Sequence, residues 1–281
     1  MILKVKYNNK INKERDYINF MEFDKEDKKV FLRTLNKKGF ILEDKVWKIF
    51  HNHLHLTRIE RGLIPKMHFG NFNERIEIDL VATIENKQFI VECKHTDYAW
   101  VFPKSLDRPN TINLINTYGE GASAKSRSTS DFKVVFSDIA ISLEGKKIVK
   151  QRGSKLALTS YKDIHEHIRQ ILKNLEAFIS EGIETKNHIF IPLIVTNAPL
   201  YYLDYEEKNL NDNGDLEDYT SIKEVPFILY NFSEMLNLEI PEEEPQMKSI
   251  FIVNINKLGE LIPLILDQTI GGGRDFPNRV I

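Results

Sequence analysis

Ile78-Asp79-Leu80-Val81-Ala82-Thr83-Ile84-Glu85-Asn86-Lys87-Gln88-Phe89-Ile90-Val91-Glu92-Cys93-Lys94 is the stretch whose reading decides the fold. Arg75 to Ile84 is rich in Ile, Val, Leu and Thr, the residues that suit a pleated surface. Glu85-Asn86-Lys87 is a polar break of hairpin length, and Gln88 to Cys93 is apolar again. Side chains alternate faces along a strand, so Phe89, Val91 and Cys93 share one face, and Ile90, Glu92 and Lys94 the other. On the first strand Glu77, Asp79, Val81 and Thr83 fall together. Charged groups therefore sit among apolar residues on both faces, the pattern of a central strand covered on both sides.

Burying such charges is costly unless they are paired or bind a metal. Asp79, Glu92 and Lys94 reach neighbouring strand ends. That set can hold a divalent cation and position a water against a phosphodiester. The plain alternative is a cross-strand salt bridge on a half-exposed hairpin.

The segment resembles the PD-(D/E)XK nuclease superfamily. Asp79 matches its first acidic position and Glu92-Cys93-Lys94 its (D/E)-x-K element, while Ile78 stands where a proline is usual. The resemblance covers roughly residues 33 to 205. It implies an α/β fold with a central mixed β-sheet flanked by helices, and a restriction-endonuclease-like core of order α-β-β-β-α-β. It also implies Mg²⁺-dependent hydrolysis of nucleic acid, with Mn²⁺ able to substitute. Asp79 and Glu92 would be metal ligands, the main-chain carbonyl of Cys93 a third, and Lys94 a catalytic group offsetting the charge that develops on phosphate. All-oxygen ligands favour Mg²⁺ over Zn²⁺.

The flanking elements agree with that order. Asp24 to Lys37 reads as a helix with Asp24 as N-cap, and Gly39 separates it from the next. Leu42, Val46, Ile49, Phe50 and Leu54 recur at helical spacing. Glu43 shares part of their face. Many members of the superfamily carry a glutamate on this helix that points to the metal, so the resemblance makes Glu43 a catalytic and metal-ligand candidate. The competing reading is a first-turn glutamate that favours the helix dipole. Ile64 to Phe72 is expected to be a strand and turn leading into Asp79. Ile164, Ile168, Ile171, Leu172, Leu175 and Ile179 mark an amphipathic helix, and His188 to Thr196 a buried strand. Pro192 inside that run predicts a bulge or an early strand position. Some members of the superfamily place a glutamine on the later helix. Gln170 falls almost opposite the apolar stripe and is expected to face solvent.

The domain organisation expected is an N-terminal extension over 1–32, the core over 33–205 with an insertion at about 97–158, and a C-terminal extension over 206–281 packed on the core. The insertion is aromatic at Tyr98 to Phe102 and rich in Gly, Ser, Asn and Thr from Asn116 to Ser130. It then carries a basic run. Lys125, Arg127, Lys146, Lys147, Lys150 and Arg152 are the residues expected to touch a phosphate backbone. The alternative is a solvated hairpin. Past it, Asp204 to Asp218 and Pro241 to Pro245 are acidic and should lie away from a bound strand. Pro226 to Tyr230 and Ser249 to Val253 read as further strands of the sheet, and Leu258 to Leu266 as a short helix.

With 39 basic and 41 acidic residues in 281, the chain is close to neutral. One cysteine excludes an intramolecular disulfide, and one cysteine with scattered histidines does not supply a zinc ligand set. His51, His53 and His55 are read as surface or helix-end residues. No stretch is apolar enough to span a bilayer, and no secretory leader is seen, so the expected location is cytoplasmic with no membrane partner. The expected partner is DNA, double-stranded, in restriction or in defence against foreign DNA. A homodimer or a partner protein is compatible with the sequence. Two other readings stand beside it: an RNA or single-stranded DNA nuclease, and an inactive nuclease-fold module for nucleic-acid binding or assembly.

Overall fold

The computed structural model describes residues 25–37, 39–53, 55–65, 76–96, 99–104, 111–118, 121–128, 135–137, 141–143, 162–180, 188–216, 222–232 and 248–267. Helix α1 spans Lys25–Lys37 and α2 spans Phe40–His51. Gly39 between them takes φ 81°, a left-handed conformation that glycine adopts without penalty. Strands β1 (Leu56–Leu63), β2 (Ile78–Ile84) and β3 (Lys87–Lys94) form an antiparallel meander.

Of the strand and turn expected over Ile64 to Phe72, only Ile64 and Pro65 are described, neither in a strand, and 66–75 lie outside the described residues. Strand β1 precedes them, and its sequence, LTRIERGL, carries two arginines and a glutamate. It is the edge of the sheet, largely open to solvent, so no apolar run announces it.

Beyond β3 the main sheet continues through β9 (Ile189–Thr196), β13 (Lys248–Asn254), β12 (Phe227–Phe232) and β7 (Val135–Ser137). Strands β3 and β9 are parallel, as are β9 and β13, whereas β12 and β13 are antiparallel. The sheet is thus mixed, and the segment after residue 205 supplies two of its strands. Strands β5 (Thr111–Tyr118) and β6 (Gly121–Ser128) make an antiparallel hairpin, with β5 also paired to the start of β9. The Gly-, Ser-, Asn- and Thr-rich part of the insertion thus includes paired strands. Ile112 and Leu114 join one core and Ile115 the other, which gives β5 enough apolar burial to hold despite its polar composition.

Pro192 sits in β9 with no register shift against β3, contrary to the expected bulge. On the other side of β9, β5 pairs with Ile189 and Phe190, while β13 pairs with Leu193 to Thr196. The proline's missing N–H therefore falls at the junction between two neighbours, where no ladder bond is lost.

A second, four-stranded sheet runs β11 (Ile222–Glu224), β10 (Leu200–Leu203), β4 (Ala99–Pro103) and β8 (Ile141–Leu143). Trp100 and Phe102 of β4 are fully buried in it, so the aromatic start of the insertion is core.

Two apolar layers enclose the main sheet. Leu42, Val46 and Phe50 of α2 and the α4 helix (Leu258–Asp267) pack with Phe89, Val91 and Cys93 on one face. Ile164, Ile168, Ile171 and Leu175 of α3 (Lys162–Ser180) pack with Ile90 and Ile194 on the other. Among the described residues no helix is long and apolar enough to cross a membrane.

Candidate active site

The ladder between β2 and β3 runs from Ile84↔Lys87 to Leu80↔Val91 and stops there. At the next position the Asp79 carboxylate replaces a main-chain partner: its Oδ2 accepts the Cys93 N–H at 2.6 Å. In a strand the N–H and C=O of one residue point to the same side. The Cys93 carbonyl is therefore turned toward Asp79, where the ladder has opened. At the exit of β3, Thr96 N–H donates to Asn197 Oδ1 at 2.8 Å, and Asn197 Nδ2 donates to the Thr96 carbonyl at 2.9 Å. These two bonds tie the ends of β3 and β9 together.

Glu92 points to the α3 side and is 4 % exposed. Its Oε1 is ion-paired with Lys94 Nζ, and its Oε2 accepts from Asn174 Nδ2 at 2.8 Å. Asn174, on α3, is fully buried and in turn accepts from Gln170 Nε2 at 2.9 Å. Gln170 is thus half-buried and bonded within the site, not turned to solvent as expected. His167 lies on the same flank of α3, with its ring 5.9 Å from that of Trp100. Burial, and secondarily the Lys94 charge, lower its pKa to about 4, so the imidazole is neutral at pH 7. Residues 167, 170 and 174 follow the three-and-four spacing of a helix face. In the sequence they form a polar row beside the apolar one, and the apolar row alone does not reveal which way Gln170 faces.

Glu43 enters from the opposite side, on the first turn of α2. Burial raises its pKa first, the charges of Asp79 and Glu77 raise it further, and Arg61 and Lys94 oppose them. It therefore lies within the field of the same cluster. A Cβ on Gly39 would come within 3.3 Å of Glu43 Oε1, so the left-handed glycine both turns the chain and clears room for the carboxylate.

All three carboxyl groups are held above their ordinary range. Burial is the leading cause for Asp79, relieved by the Cys93 N–H and by Lys94. Glu92 is raised to about 7 by burial and then by Asp79, against the pull of Lys94 and Asn174. The Cys93 thiol is pushed well up by burial and by the carboxylates around it, which leaves it inert as a nucleophile.

Three carboxylates against one ammonium leave an excess of negative charge that a divalent cation would relieve. Their oxygens suit a hard cation such as Mg²⁺. Among the described residues no three His, Cys, Asp or Glu side chains are grouped closely enough to hold a metal ion as they stand. In this arrangement the ammonium of Lys94 takes one oxygen of Glu92.

Of the residues expected to touch nucleic acid, Lys125 and Arg127 lie on β6, opposite Leu114 and Ile112 of β5. Lys146, Lys147, Lys150 and Arg152 lie outside the described residues. Comparison with protein-family models, with curated proteins and with solved structures returns no match to this chain.

Proposed function

We propose that the protein is a metal-dependent nuclease that hydrolyses phosphodiester bonds in double-stranded DNA. The observation that carries this reading is convergence. Asp79 and Glu92 lie on adjacent strands with Lys94 beside Glu92, and Glu43 of α2 lies in the field of Asp79 and Lys94, where the β2–β3 ladder opens. A purely structural ion pair needs one carboxylate; here Asp79 raises the pKa of both Glu92 and Glu43, a repulsion that a cation would relieve.

Asp79, Glu92, the Cys93 carbonyl and Glu43 would hold Mg²⁺, which when bound neutralises phosphate charge and makes water a better nucleophile. Asn174 fixes the orientation of Glu92 through Oε2. The Cys93 N–H does the same for Asp79 through Oδ2. Lys94 lies at the rim of the cluster, its side chain 22 % exposed against 5 % for Glu92. Its ammonium can leave Oε1 for a phosphate oxygen as charge accumulates there. Water oxygen bonds to phosphorus, the ester P–O bond breaks, and the leaving sugar oxygen takes up a proton.

A second reading rests on one observation. The Glu92–Lys94 pair and Asn174 satisfy each other without a cation, as they would in an inactive module that binds nucleic acid or a partner. Incubating the purified protein with supercoiled plasmid in Mg²⁺, Mn²⁺, Ca²⁺ or EDTA separates the two. The nuclease reading expects nicking or linearisation in Mg²⁺ and Mn²⁺, and binding without efficient cutting in Ca²⁺. No cleavage of DNA or RNA under any condition, with no metal site found near Asp79, would leave the module.

A further inference from the structure

Outside the carboxylate cluster, helix α2 and the edge strand β1 carry a built arrangement that the proposed chemistry does not use. Two groups lie against the Trp47 ring: the Arg61 guanidinium 4.7 Å from its centroid, and His51, which stacks on it at 4.3 Å with the rings 11° apart. Arg61 also pairs with Asp44 at 3.2 Å, and the same carboxylate holds Lys48 at 2.8 Å. Both cations are open to solvent: 39 % for the Arg61 side chain and 66 % for Lys48.

The location gives the stack its meaning. Arg61 is in register with Leu80, the residue after Asp79, and its charge reaches Glu43. Glu43, Trp47 and His51 are spaced by four and so lie in one row on α2. At 1.5 Å per residue that row runs about 12 Å outward from the carboxylate cluster. One strand of a duplex rises about 3.4 Å per nucleotide, so the row spans roughly three to four of them. What the stack offers is an arginine held against the ring, whose N–H groups suit phosphate oxygens.

We propose that Arg61, braced on Trp47, forms with Lys48 a phosphate-contacting ledge that guides a DNA strand into the Asp79–Glu92–Lys94 cluster. The inference rests on the phosphodiesterase reading for its substrate, but it concerns binding and stands apart from cleavage. Asp44 holds both cations in the free protein and is exchanged for phosphates on binding. The ledge is therefore opposed by its own carboxylate, and this gives the proposal two effects of opposite sign.

The test measures anisotropy of a fluorescein-labelled duplex with the full chain in Ca²⁺ across a salt series. Each phosphate contact contributes about 0.9 to the slope of log affinity against log salt. Replacing Arg61 and Lys48 together by Gln should lower that slope by about two and weaken binding roughly tenfold at moderate salt. Asp44→Asn, a change at an exposed site, should tighten binding by a few-fold, because it frees two cations and removes one repulsion. Lys48→Gln alone, too exposed to affect folding, should remove about one from the slope.

Unchanged affinity and slope in the double variant, with Asp44→Asn neutral, would overturn the ledge. So would a parent protein that binds no nucleic acid, which would also remove the nuclease reading. A parent that binds DNA but never cuts it, and still loses slope in the double variant, supports the ledge and overturns only the enzyme. Preference for an RNA duplex with the same slope losses would keep the ledge and change its substrate.

Discussion

The two ends of β3 bury polar groups in the same apolar strand and do opposite things with them. At its start, Lys87 and Gln88 are each 6 % exposed. Burial lowers the Lys87 pKa, opposed by Glu85 across the turn, and Gln88 Oε1 has no hydrogen-bond partner among the described residues. At its end, Glu92 is engaged from α3 by Asn174 and from its own strand by Lys94, while Asp79 on β2 is held by the Cys93 N–H. One end tolerates isolated polar atoms at a cost in stability. The other gathers like charges and supplies each with an orienting partner. Burial of a charge alone does not make a candidate site; burial of several in one field, with Asp79 and Glu92 each held in orientation, does.

The largest effect expected separates the two ends by rate. Lys94→Ala should reduce Mg²⁺-dependent cleavage by about a thousandfold or more, with DNA affinity and far-UV circular dichroism near those of the parent, because it removes stabilisation needed mainly in the transition state. Asp79→Ala should match that loss and also weaken Mg²⁺ binding in a titration. Retention of cleavage by either variant would break the contrast.

The next effect is one of pH and metal. Glu92 has its pKa raised from 4.5 to about 7 in the folded state, so the fold holds its proton more tightly than the unfolded chain does. The stability this provides is fully present below about pH 4.5 and is lost as pH rises through 7, amounting to on the order of 3 kcal/mol. Asp79 and Glu43 are raised as well and act in the same direction. In EDTA the melting temperature should therefore fall between pH 5 and 8. Mg²⁺ should restore it at the high end, and Glu92→Gln should flatten the profile. A metal-free protein whose stability rises over that range would overturn this account of the cluster.

Asn174 gives a smaller effect on the same end. Asn174→Ala frees Glu92 Oε2 without touching the reacting atoms, and the loss of this orienting contact should cost roughly 10–100-fold in cleavage at saturating DNA. The pH–rate profile should move upward on its acid limb, since one of the groups lowering the Glu92 pKa is gone. An unshifted profile would reduce Asn174 to packing.

The smallest effect belongs to the other end. Lys87→Met should leave cleavage unchanged and raise the melting temperature by about 2–4 °C at most, through relief of a buried charge. A loss of activity there would show that the two ends of β3 are coupled.

Much of this organisation was legible in residue order, because it rests on local periodicity. The alternation from Ile78 to Lys94 and the apolar rows of α2 and α3 each follow from how a strand or a helix distributes side chains. So did the meeting of Asp79 with Glu92, since a short hairpin fixes which residues lie across from each other. What tertiary structure alone decided is of another kind. Strand β1 is polar and becomes a strand only by having β2 to pair with. Pro192 is tolerated because two different strands end and begin beside it. Gln170, Asn174 and His167 reach the site because α3 crosses β3 at an angle that turns one polar flank, not just the apolar stripe, toward Glu92. Such contacts join residues some eighty positions apart, and no local pattern encodes the angle at which a helix lies on a sheet.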